Sequence, residues 1–229
     1  MFRTTLLAST ALVVAALVAS PAQAQLNLRG LKFPAALQNV QLLSSEAVQK
    51  ELNLADEQKT AIADLATQLR QDAIEIFSGL QDLTPEEQKE QMPEIIKMIG
   101  EKGKEVQTKV DKVLDAKQVG RMKELSIQSR GATALEDEEI IAALKIDADQ
   151  QKKLAALREE GNAAMQEAID GLRAGGGDQG EIRKKMGELR KSLGEKALAA
   201  LTPAQREQFD KLKGAEFKFP QGGGRGFPF

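Results

Sequence analysis

The chain has 229 residues, sets 32 Lys and Arg against 34 Asp and Glu, and contains no histidine, cysteine, tryptophan or tyrosine. Without histidine or cysteine the usual zinc, copper and haem sites, disulfides and most nucleophile–base pairs cannot be assembled, so no catalytic residue, metal site or cofactor is expected and the chain does not read as an enzyme. Its net charge of −2 lacks the basic excess of a general nucleic-acid binder.

The first 24 residues have the build of a secretory signal. Arg3 gives the positive start, Leu6 to Val18 is an almost unbroken apolar run, and Ala22-Gln23-Ala24 is a small-x-small cleavage site. The run is shorter than the roughly 20 residues of a membrane span, and nothing later is more apolar. The expectation is a mature chain from Gln25, soluble, periplasmic or otherwise exported, and without membrane insertion after cleavage. With no cysteine it is not a lipoprotein.

Residues 25–43, with Gly30-Leu31-Lys32-Phe33-Pro34, read as an N-terminal extended segment. From about Ser44 to Leu212 the apolar period is helical, and no sustained run alternates with period two, so the fold class is all-α. Ile62, Leu65, Leu69, Ala73 and Leu80 draw one stripe, and Ile95, Ile99, Val106 and Val110 the next. Leu154, Leu157, Ala164 and Ala168, then Met186, Leu189, Leu193 and Ala197, repeat the layout. Helices are predicted near 45–52, 56–81, 85–113 and 116–128, and again near 137–144, 148–173, 179–200 and 203–213. This is a short-long-long-short repeat used twice, 44–130 and 135–213, joined by a linker at 131–134, in an elongated helical bundle. Pro93 is expected to bend or restart the third helix. Gly100, Gly103, Gly187 and Gly194 fall inside helices, where each costs roughly 1 kcal/mol against alanine; they mark bends, close contacts or tolerated surface positions. Residues 214–229 hold four of the eight phenylalanines in a Gly- and Pro-rich tail expected to be extended. Phe217, Phe219, Phe227 and Phe229 are its candidate contacts, with docking on the bundle preferred.

The repeat is sharpest in short motifs. Leu54-Ala55-x-x-Gln58 returns as Ile146-Asp147-x-x-Gln150, an offset of 92 (146 minus 54). Leu114-Asp115-x-x-Gln118 returns as Leu201-Thr202-x-x-Gln205, an offset of 87 (201 minus 114). A polar cap with glutamine three residues on is a capping box, and Pro203 stands at the first helical position. In the first copy Ala55 holds the cap position, so Asp56 is expected to cap instead.

Four such motifs in register, in an exported all-helical chain without cysteine, resemble the LTxxQ-motif family of periplasmic proteins, the Spy and CpxP type. Leu201-Thr202-x-x-Gln205 matches the motif in full, the other three in part. The resemblance implies a curved helical hairpin, a cradle-shaped dimer, ATP-independent holding of unfolded clients and a role in envelope stress. Each half resembles one such chain, which makes a pseudo-dimeric monomer one reading of the oligomeric state. The expected partners are proteins, unfolded clients or one envelope partner. For client binding, Arg183, Lys184, Met186, Leu189, Arg190 and Lys191 combine charge with an adaptable apolar surface. The alternative is a non-catalytic envelope scaffold that binds one specific partner.

Overall fold

The computed structural model describes residues 33–81, 83–174 and 179–220. The expected signal segment, the Gly175–Gly177 loop and Phe227 and Phe229 lie outside them. Among the described residues the chain is all-α, with no strand. The helices are α1 (Ala35–Leu43), α2 (Glu46–Glu51), α3 (Asp56–Gln81), α4 (Pro85–Val113), α5 (Ala116–Arg130), α6 (Glu138–Leu144), α7 (Ala148–Ala174), α8 (Gln179–Ala199) and α9 (Pro203–Leu212), with a 3₁₀ helix at Gly131–Glu136. The chain divides into two compact units, residues 33–126 with 218–220, and residues 127–217.

Helix boundaries follow local chemistry. Thr84 caps α4 with a full capping box: the Glu87 amide donates to Thr84 Oγ1, and the Thr84 amide donates to the Glu87 carboxylate at 2.8 Å. That backbone hydrogen bond, aided by the Thr84 hydroxyl, holds the Glu87 carboxyl below its ordinary pKa. Asn53 and Lys145 take left-handed backbone angles, φ 48° and 52°, just beyond α2 and α6. Helices commonly end on such a residue.

Two expectations change here, and a third is narrowed. Ala35–Leu43 is a helix rather than an extended segment, and seven of its residues are buried, Leu37, Val40 and Leu43 among them. Its buried residues lie all round the helix, so no one-sided stripe announced it. Residues 131–134 belong to a 3₁₀ helix rather than a free linker, and Ala134 and Leu135 are wholly buried. Pro93 lies inside α4, which continues through it without restarting. It is exposed, where the carbonyl left without a donor can turn to water.

The two long hairpins are covered differently. In the first unit α1 packs on both α3 and α4, and the stripe Ile62, Leu65, Leu69, Ala73, Leu80, Ile95, Ile99, Val106 and Val110 is buried. A Cβ on Gly103 would stand 2.5 Å from ring carbons of Pro34, so this glycine admits the start of α1. In the second unit α7 and α8 pack directly on each other, and a Cβ on Gly161 would meet Leu193 at 2.6 Å. The 3₁₀ helix packs on both of them. Met186, Leu189, Leu193 and Ala197 stay half-buried.

Candidate functional site

The motif glutamines meet in pairs. Gln58 stands at the start of α3 and Gln118 at the start of α5. Gln58 Nε2 donates to Gln118 Oε1 at 2.7 Å, and Gln118 Nε2 donates back to Gln58 Oε1 at 3.1 Å. Each carbonyl oxygen also accepts the backbone N–H of its own cap residue, Ala55 and Asp115, both at 2.9 Å. Each amide nitrogen gives its second hydrogen to the end of another element: Gln58 to Val113 O at 2.7 Å, Gln118 to Leu52 O at 3.2 Å. Two donors and two acceptor positions are thus filled on each side chain.

The second unit holds the same arrangement. Gln150 and Gln205 exchange hydrogen bonds at 2.7 and 2.9 Å. Their oxygens accept from Asp147 N at 3.1 Å and Thr202 N at 2.9 Å. Their nitrogens donate to Ala200 O at 2.9 Å and Leu144 O at 3.1 Å. Each clasp therefore ties the end of a short helix, both helices of a long hairpin at its base, and the start of the next helix. The residue before each cap, Leu54, Leu114, Ile146 and Leu201, is buried. Asp115, Asp147 and Thr202 close their boxes by accepting from the amides of Gln118 (2.8 Å), Gln150 (2.8 Å) and Gln205 (3.3 Å). Asp56 does not cap: it lies inside α3 and bonds Lys59 at 2.8 Å, because Ala55 already occupies the cap position.

The candidate client-binding residues do not share one side of α8. At about 100° per residue, Leu189 and Arg190 lie within roughly 60° of Met186, whereas Lys184 and Lys191 lie roughly 140–160° away. Met186 and Leu189 are half-buried; Lys184, Arg190 and Lys191 are exposed. The side chain of Arg183 lies outside the described ones. Further along α8, Lys196 is engaged with Glu160 of α7 at 2.5 Å. Two large apolar side chains in the first unit are more than half exposed, Ile74 (55%) and Ile96 (51%).

Sequence reasoning did not see two further clusters. On α4, Lys102 is only 5% exposed and bonds Asp72 of α3 at 3.2 Å and Glu105 at 2.9 Å. Burial works against its charge, but the hydrogen bonds to Glu105 and Asp72 outweigh that and raise its pKa. Glu105, bonded first to Lys109 and then to Lys102, is held below the ordinary carboxylate value. The second cluster is at the C-terminus. There the Gln128 side chain of α5 bonds the backbone of residues 213–217, and Phe217 and Phe219 are half-buried. The mixed charges of α4 concealed the first, and Gln128 belongs to no motif.

Among the described residues, no group of three or more acidic side chains is placed to hold a metal ion, and no helix is long and apolar enough to cross a membrane. No family model, curated protein or solved structure matches the chain.

Proposed function

We propose that this chain is an exported, Spy-like, ATP-independent chaperone or envelope-stress protein that binds unfolded or partner proteins without catalysis. The observation that carries the reading is the clasp. In each unit two motifs of the LTxxQ kind meet at the base of one long helical hairpin, the element the family resemblance associates with client holding. Met186 and Leu189, half-buried beside the exposed Arg190, supply apolar contact next to charge, a combination suited to weak and reversible retention of a client.

The test is suppression of aggregation when a chemically unfolded protein is diluted into the purified chain without nucleotide. Suppression near a one-to-one ratio is the expected outcome, with Met186→Ser/Leu189→Ser weakening it several-fold. Absence of suppression at several-fold excess would overturn the reading. The division of α8, with Lys184 and Lys191 turned away from Met186, favours a second reading: a scaffold that recognises one defined envelope partner. A scaffold would ignore unfolded clients and retain a single protein at high salt as well as low.

A further inference from the structure

Two serines and one backbone torsion separate α1 from α2. Ser44 ends α1 in right-handed helical geometry, with φ −76° and ψ −12°. Ser45 has a φ of −76°, also helical, and only its ψ of 127° is extended. No glycine or proline stands in residues 35–51, so the sequence can carry one continuous helix through the break. The first-turn amides of α2 have no partner inside that helix, and the Ser45 side chain caps none of them. Turning Ser45 ψ toward about −40° would fuse the two helices and offer those amides the carbonyls of residues 42–44. Gln49 holds the bend, its Nε2 donating to Leu43 O at 2.9 Å across the break.

Straightening lifts α1 off α3 and α4. Leu37, Val40, Leu42 and Leu43 are all buried in the bent form, too much apolar surface to leave in water. The seat is shaped as well as apolar, since Gly103 leaves room for the Pro34 ring. An equal seat exists in one other place, the same groove of a second copy. We infer that α1 is an exchangeable arm hinged at Ser45, and that two copies of this chain associate by each placing its α1 on α3 and α4 of the other. Every contact that α1 makes with α3 and α4 of its own chain is then made again between chains. Exchange costs little beyond the freedom lost when two molecules become one, so it grows with concentration. It does not rest on the client-binding reading.

The experiment sizes the full chain by light scattering at concentrations from micromolar to millimolar. A dimer whose share rises with concentration is expected. Ser45→Ala favours helix at the hinge and is expected to raise that share several-fold. Glu46→Pro puts proline at the first position of α2, which suits the bend because Ser45 is already extended, and bars the fused helix. It is expected to abolish the dimer and leave the monomer folded. The chain has no cysteine of its own, so Pro34→Cys/Gly103→Cys reports whose α1 fills the seat. After oxidation, the disulfide-linked dimer on a non-reducing gel should match the dimer share seen by scattering. Monomer alone at every concentration, in the wild type and in Ser45→Ala, would overturn the inference. So would a dimer that survives Glu46→Pro, or one whose cysteines link only within each chain, because association would then use another face.

Discussion

Gly100 and Gly103 lie within one turn of α4 and differ in what faces them. Nothing lies within 4 Å of a Cβ built on Gly100, whereas one on Gly103 would stand 2.5 Å from the Pro34 ring. A proline ring has no flexible end to move aside. Gly100→Ala is therefore expected to stabilise the first unit by about 1 kcal/mol through helix propensity alone. Gly103→Ala is expected to lower stability despite the same local gain, by displacing the start of α1. Urea denaturation of the two variants, run side by side, decides it. The sequence marked both glycines as positions of interest but could not separate them, because the distinction depends on a residue some seventy positions away. The glutamines show the same limit. A glutamine three residues after a cap declares a helix start. Its partner across 60 residues, as for Gln58 and Gln118, appears only when the hairpin folds.

At the level of elements, helix positions were legible because apolar spacing, caps and turn residues all pointed to the same boundaries. What covers each hairpin was not. α1 presents no one-sided stripe, and Lys102 looks like any surface lysine in a charged helix. Counting by the motif offsets, Asp72 and Lys102 of the first hairpin fall opposite Ala164 (72 plus 92) and Leu189 (102 plus 87) of the second. Lys102→Leu alone strands Asp72 without its buried partner and is expected to destabilise the first unit by about 3–5 kcal/mol. Adding Asp72→Ala is expected to recover most of that loss, since replacing a buried pair by apolar residues is commonly near neutral. The cluster also sets a pH dependence. The depressed Glu105 contributes stability above the ordinary carboxylate pKa, lost as pH falls through its lower folded value. Glu105 is 43% exposed, so solvent reduces that contribution. The raised Lys102 contributes below the ordinary lysine pKa, and its share is lost as pH rises through the higher folded value. Denaturation midpoints measured across pH in the wild type and the double variant should show the alkaline decline weakened by the substitutions.

On the scale of the molecule, each unit has its own clasp, and no hydrogen bond of either clasp leaves its unit. Gln118→Ala removes half of the first clasp and leaves the amide of Gln58, the Asp115 N–H and the Leu52 carbonyl short of partners. A loss of about 2–4 kcal/mol is expected. Amide-exchange protection should fall in residues 33–115 and hold in residues 138–212; a uniform fall would mean that the units melt as one. The neutrality of the clasps has a consequence of its own. Four primary amides carry no net charge and no proton that titrates in the physiological range, so in the bonds between paired glutamines acid and salt have nothing to act upon. The charged pairs along the hairpins loosen as ionic strength rises, while the two knots at their bases keep the same strength in dilute and concentrated surroundings alike. A fold fastened this way can let its surface respond to the medium without letting the medium untie it.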